Sequence, residues 1–326
     1  PLLDKSRESL SDFIGCHMDD VVFTPNPSTG LNAVIKSLKL KENDEILTSN
    51  HEYGALDRTW HFVCKKTKAK YINQKISLPL KSKEQFIKQF SKGITDKTKV
   101  IFLSHITSPT ALIFPVKEIC KIARKKNILC IIDGAHVPGH IDLNIKDLDP
   151  DVYVGACHKW MCSPKGISFL YVKKNIQSSI DPLIVSWGYE SDTPTHSQFL
   201  DYHQWQGTKD MSAYAIIPEV IDFLKQYNWK EKSKKCRELN IWAKEKINHL
   251  LKKDELSHNK FLGQMSSVYI DKEITLDFHI NFYKKHKIQI PFMLWNKKSL
   301  MRISIQVYNS KEDVNKLLEA LKTDFI

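Results

Sequence analysis

The sequence predicts an α/β protein: a mostly parallel sheet covered by helices, followed by a smaller α+β domain. Three observations carry this. Short, continuously apolar strand segments recur through the first half of the chain, as in KVIFLS (99–104) and the run that ends at Asp133. Amphipathic helical segments alternate with them at short spacing. The strands are apolar on both faces, as a parallel sheet buried beneath helices requires.

Residues 5–15 carry a helical period, and Val21–Thr24 is a short apolar strand. TPNPSTG (24–30) is rich in turn formers and reads as a turn before a helix over about 31–39. Strands then fall at 45–48, 70–74, 99–104 and 127–133, and helices at 54–65, 83–90 and 116–126. Two further strands, 152–156 and 167–172, flank a polar loop. From about 175 to 208 the pattern gives way to a long aromatic loop. Helices follow at 212–226 and 230–253, then strands near 265–270 and 299–306 and a last helix at 311–322. The large domain is expected over 1–227 and the small one over 228–326. There is no internal repeat.

A chain of 326 residues can bury a sizeable core. The net charge is +12, but 44 of the basic residues are lysines and five are arginines. Arginine is the residue for reading bases and clamping phosphate. The lysines are spread along helices, so a solvated surface is expected and no nucleic-acid partner. No run approaches the roughly 20 apolar residues of a membrane span, so no membrane partner is expected. The cysteines at 16, 64, 120, 130, 157, 162 and 236 form no framework. Cys120 and Cys130 lie in apolar patterns and read as core thiols, and a reducing, cytoplasmic compartment fits.

IIDGAH (131–136) and GACHKW (155–160) each turn polar where an apolar strand ends. Ligands of parallel sheets bind beyond the carboxyl ends of the strands. Asn26, Tyr53, Ser108, Asp133 and Lys159 all lie just after strands. An acid and a lysine on neighbouring strand ends suit pyridoxal phosphate: the lysine forms a Schiff base, and the acid keeps the pyridine nitrogen protonated. Asp133 as a turn cap is the plainer alternative. A His136/His140 metal pair is not expected, because Pro138 and Gly139 prevent a helical i, i+4 arrangement.

Six motifs then resemble the class V aminotransferase family of fold-type I pyridoxal phosphate enzymes, and within it the isopenicillin N epimerase-like branch. They are TSNHEYGA (48–55), SHITSPT (104–110), DGAHVPG (133–139), CHKWMCSPKG (157–166), WQGTKD (205–210) and MRISIQVYN (301–309). The similarity runs from about residue 5 to the end, in order and at matching spacing.

The resemblance implies that Lys159 is the Schiff-base lysine and proton carrier, with Asp133 on the pyridine nitrogen. Tyr53 stacks on the cofactor ring, and His136 bonds its phenolic oxygen. Ser28, Thr29 and His158 hold the phosphate at the helix start after Asn26, where Gly30 allows close approach. Thr208 reaches the phosphate of a neighbouring subunit, which implies a homodimer. Its plainer alternative is a helix N-cap. Arg302 clamps the substrate α-carboxylate, with Thr107 and Ser108 as weaker candidates nearby. Lys165 does not match the family position. Pro27, which has no N–H, and Ala156 depart from the family's phosphate cup. Family members carry several dozen residues ahead of this start, so the N-terminal part of the large domain is expected to lie outside this sequence.

The function expected is therefore a pyridoxal-phosphate-dependent enzyme acting at the Cα of an amino acid or amino-acid side chain, epimerase-like or aminotransferase-like, through Lys159. The alternative is a carbon–sulfur lyase acting on a cysteine derivative without a protein persulfide, since no Cys follows Cys236. A non-catalytic binding descendant is the third reading. Epimerisation needs a second proton donor, for which Tyr53, His51 and His203 are candidates. Residues 187–189 and 199–205 are expected to line the mouth of a roomy pocket.

Overall fold

A computed structural model of the chain describes residues 2–326. In chain order the elements are α1 (Leu2–Ile14), β1 (Val21–Thr24), α2 (Pro27–Ser37), β2 (Glu45–Ser49), α3 (Gly54–Thr67), β3 (Lys70–Gln74), α4 (Lys83–Ser91) and β4 (Thr98–Ser104). Then come α5 (Val116–Lys125), β5 (Leu129–Gly134), α6 (Ile145–Leu148), β6 (Val152–Ala156), β7 (Ser168–Val172), α7 (Gln198–Gln204), α8 (Ser212–Ala215) and α9 (Ile217–Gln226). The chain closes with α10 (Trp229–Leu251), β8 (Met265–Tyr269), α11 (Leu276–His286), β9 (Phe292–Trp295), β10 (Lys298–Ser304) and α12 (Lys311–Phe325).

Two compact units result. Among the described residues the first comprises 2–76, 87–106 and 115–227, and the second 77–86, 107–114 and 228–326. Two short segments inside the first 227 residues thus belong with the C-terminal part. Hydrogen bonds account for them. The Ile113 N–H donates to Phe261 O, and the Leu80 N–H donates to Leu256 O.

The first unit is built on a seven-stranded sheet of order β1-β7-β6-β5-β4-β2-β3. β3, β2, β4, β5 and β6 are parallel, β7 is antiparallel to β6, and β1 at the edge is antiparallel to β7 and so runs with the other five. The mostly parallel α/β sheet is the one the apolar strands predict. β4, β5 and β6 are in register so that Ser104 faces Asp133 and Gly134 faces Gly155. Three strand ends are therefore level where the chain turns polar. α2 and α3 pack over one part of this sheet, burying Leu31, Val34, Leu56 and Trp60 against Val22, Phe102, Val154 and Leu170.

α2 begins four residues earlier than the turn residues of 24–30 suggest. Asn26 is the N-cap, its side chain accepting the Thr29 N–H, and Pro27 opens the helix. Proline is pre-set for a first turn, where its missing N–H costs nothing. The helical stretch expected at 212–226 is split in two. Pro218 falls in the first turn of α9 and cannot continue a helix from α8.

The second unit has a three-stranded antiparallel sheet of order β8-β10-β9, with Arg302 paired to Ser267. Its core joins Ala243 and Ile247 of α10, Val268, Phe282, Phe292, Met301 and Ile303, and Val314, Leu317 and Leu321 of α12. β9 and α11 were not legible in the sequence. In α11 only Phe282 is buried, so an apolar stripe is nearly absent. No helix among the described residues is long and apolar enough to cross a membrane.

Replacing Leu31, fully buried in α2, by alanine leaves a cavity beneath the helix. The Leu31→Ala protein should lose about 2–4 kcal/mol, read as a lower urea midpoint at an unchanged slope. A midpoint equal to wild type would contradict this packing.

Candidate active site

At the carboxyl ends of the parallel strands of the first unit, four polar groups come together. Asp133 is the penultimate residue of β5 and is almost fully buried. Burial pushes its carboxyl above the ordinary range, while the Ala135 N–H and the charge of Lys159 pull it back. Asp133 Oδ1 accepts the Ala135 N–H at 2.9 Å. Asp133 Oδ2 has no donor among the described residues, so one oxygen of a buried carboxyl is left for a ligand.

The turn after β5 brings His136 round, and the loop after β6 brings Lys159. Lys159 Nζ lies 3.2 Å from His136 Nε2. The indole Nε1–H of Trp160 donates to His136 Nδ1 at 3.3 Å. Lys159 is exposed but is held by this ring. Gly139 permits the arrangement. Its φ is +77°, and a Cβ there would sit 2.5 Å from the Trp160 carbonyl oxygen. Only glycine allows the two turns to close on each other.

Sequence reasoning missed Glu52. It follows β2, is buried, and reaches under the strand ends. Its Oε1 accepts from Ser49 Oγ at 2.5 Å. Its Oε2 accepts the Ser104 N–H at 2.8 Å and Ser104 Oγ at 2.6 Å. Burial pushes its carboxyl up to about 8, Ser104 and Ser49 oppose this, and the Asp133 charge adds to the rise. The one signal was a glutamate between His51 and Tyr53 ahead of an apolar helix, and such an acid usually reads as a first-turn charge.

Tyr53 stands at the N-cap of α3 with its ring 47% exposed, so it is available for a stacking contact. At the start of α2, Thr29 gives both its N–H and its hydroxyl to Asn26 Oδ1, at 2.9 and 3.1 Å. Ser28 keeps its N–H and hydroxyl unengaged among the described residues. Gly30 faces the sheet instead of a ligand, its missing Cβ lying 3.3 Å from Leu170 Cβ. The role expected for it is therefore helix–strand packing.

His158 Nδ1 lies 2.7 Å from the Ile167 carbonyl and donates to it. The neutral ring then presents an acceptor at Nε2, and burial followed by Lys159 disfavours its protonation. His158 can donate to a phosphate only as the protonated ring. Thr208 is exposed beside Gly207 and caps no helix, since α8 starts after Met211.

Three expectations fail here. His51 is fully buried with Nε2 on the Ile76 carbonyl at 3.2 Å, and burial pushes it down to about 4. His203 is likewise buried, on the Ile180 carbonyl at 3.2 Å, and is also pushed down to about 4. Both rings are neutral structural groups, which leaves Tyr53 of the three candidate donors. Phe199 is core, 3% exposed and packed on His203, whereas Trp187 is 85% exposed. His140 donates from Nδ1 to the His136 carbonyl at 2.9 Å, and no metal-holding group of three or more acidic, His or Cys side chains occurs among the described residues.

The second unit carries the expected arginine. Arg302 Nη1 donates to Ser108 O at 2.7 Å and to Ser108 Oγ at 3.1 Å. Its Nε is buried with no partner. A guanidinium edge of Nε and Nη2 therefore remains for a planar anion. Thr107 is fully buried, and its Oγ1 accepts the Leu112 N–H at 2.9 Å and bonds Thr110 Oγ1 at 2.8 Å. It closes a turn.

The sequence model described as Aminotransferase class-V matches residues 2–317. The isopenicillin N epimerase of Amycolatopsis lactamdurans is 27% identical over 337 residues, covering 99% of this chain and 85% of that protein. The hercynylcysteine sulfoxide lyase of Schizosaccharomyces pombe is 25% identical, covering 98% and 83%. Among solved structures, the apo cysteine desulfurase of Thermococcus onnurineus superposes with a TM-score of 0.84 at 20% identity, covering 99% of this chain and 84% of the other. That last likeness is one of fold.

Glu52 makes stability depend on pH. Its folded-state carboxyl titrates near 8 against an ordinary 4.5. The stability tied to its proton is complete below about 4.5 and is lost as pH rises through about 8. Glu52→Gln keeps the neutral bonding pattern, so its stability should gain on wild type by up to about 1.4 kcal/mol per pH unit across that window. Urea midpoints from pH 5 to 9 measure this. Parallel curves for the two proteins would show that Glu52 stays ionised.

Proposed function

The chain belongs to the aminotransferase class-V family, and from that premise we propose that it is a pyridoxal-phosphate-dependent enzyme acting at the Cα of an amino acid or amino-acid side chain, with Lys159 as base. The observation that carries this reading is the pairing of Lys159 Nζ and His136 at 3.2 Å beside a buried carboxyl, Asp133, with one oxygen left open. A donor set of one amine, one imidazole and one buried acid suits this cofactor. When bound, pyridoxal phosphate supplies an electron sink for the pair released at Cα.

The chain's own residues divide the remaining work. Asp133 Oδ2 is the acceptor for a pyridine N–H. Tyr53 offers its exposed ring for stacking. His136 is the donor for the phenolic oxygen. Ser28 brings an N–H and a hydroxyl to the phosphate at the start of α2, with Thr29 and a protonated His158 as further contacts. Thr208 is assigned to the phosphate held by a second copy, in a homodimer. Arg302 takes the substrate carboxylate on its Nε–Nη2 edge, braced by Ser108. Lys159 removes the Cα proton and returns it.

The partition after that step decides the reaction. Epimerisation or amino transfer is the first reading, in line with the epimerase relatives. Elimination from a cysteine derivative is the second, favoured by the sulfoxide lyase relative. A persulfide on the protein has no seat in the second unit: its cysteine, Cys236, is buried in α10, and burial raises its thiol.

Both enantiomers of a panel of amino acids and cysteine derivatives, incubated with the loaded protein in deuterium oxide, test this. The Cα proton signal should vanish for at least one substrate, and Lys159→Ala should slow that exchange by at least about 10³-fold. Appearance of the opposite enantiomer identifies an epimerase, a keto acid alone an aminotransferase, and sulfide with a keto acid a lyase. Absence of exchange with every compound would leave a binding protein.

A further inference from the structure

Trp160 is buried, and its ring lies against His140 with centroids 4.2 Å apart and planes 35° from parallel. Burial pushes His140 down to about 3, so that ring is neutral. Held in this way, the indole aims its N–H at His136 Nδ1.

An indole nitrogen can only donate. His136 Nδ1 must therefore offer a lone pair. A neutral imidazole has one N–H, which is left to Nε2. That hydrogen lies toward Lys159 Nζ, 3.2 Å away. An ammonium cannot accept a hydrogen bond, so the contact requires Lys159 as the uncharged amine. If Lys159 donated instead, His136 would be accepting at both nitrogens with no proton at all.

We propose that Trp160 is a positioning residue: its indole N–H fixes His136 as the Nε2–H tautomer, and through that tautomer holds Lys159 in its uncharged, nucleophilic form. The role of Lys159 in this statement rests on the cofactor reading above; the tautomer of His136 does not. Other groups bear on the pair. Asp133, at the end of β5, faces Lys159 electrostatically and favours the ammonium. His158, on the same loop, interacts with Lys159 with the opposite sense, and His140 bonds the His136 carbonyl.

The test uses the full chain without cofactor, labelled with ¹⁵N-histidine, and long-range ¹H–¹⁵N spectra at pH 8. His136→Gln identifies the resonances. Wild type should show His136 Nδ1 unprotonated and Nε2 protonated. Trp160→Phe keeps the ring on His140 but removes the donor. Its His136 should become a mixture of tautomers, and its capture of added pyridoxal phosphate should slow by roughly fivefold, the worth of one hydrogen bond. A protonated Nδ1 in wild type overturns the proposal without recourse to the variant, as does a Trp160→Phe protein with an unchanged tautomer. An Nε2–H tautomer in a wild-type protein that captures no pyridoxal phosphate keeps the Trp160–His136 assignment and removes the role given to Lys159.

Discussion

The site depends on a carboxyl held out of water. Asp133 lies one residue from the end of a central parallel strand whose preceding residues Cys130, Ile131 and Ile132 are apolar and buried, so the sheet carries it into the interior along with them. A buried acid is costly unless something compensates its charge. Within the chain the compensation is partial: Asp133 accepts one backbone N–H, from Ala135. A cationic ring nitrogen would complete it.

Glu52 and Trp160 adjust the same balance from opposite sides. Two buried carboxylates near one another repel, and the Asp133 charge adds to the rise that burial imposes on the Glu52 carboxyl. Ser49 and Ser104 hold that second acid in place, and Ser104 is also the register partner of Asp133. On the other side the indole N–H of Trp160 donates to His136 Nδ1, and the same ring meets Lys159 Nζ.

Much of this was legible in the sequence because parallel strands announce themselves. Continuous apolar runs at 99–104 and 127–133 can be little else, and polar residues just beyond them must gather at one edge. Asp133, His136, Lys159 and Arg302 were singled out in this way and through the family resemblance. Glu52, Ser49 and Ser104 were not, since their meeting depends on the order of β2, β4 and β5 in space. Nor does the sequence reveal that His51, in a turn, and His203, in α7, point at backbone carbonyls, because a histidine beside polar neighbours looks alike whether it serves chemistry or structure. In the second unit α11 lacks an apolar stripe, and periodicity had nothing to register. The Pro27–Gly30 segment shows the reverse problem: Asn, Pro and Ser favour turns and helix starts equally, and only the cap geometry decides between them.

The account stands or falls on where the cofactor attaches. The most direct measurement is borohydride reduction of the protein after it has been mixed with pyridoxal phosphate, with the visible spectrum recorded before reduction and the labelled peptide mapped by mass. The account predicts a yellow protein and a single reduced adduct on Lys159 within residues 157–166. A colourless protein, or label on Lys165 or scattered over surface lysines, would contradict it.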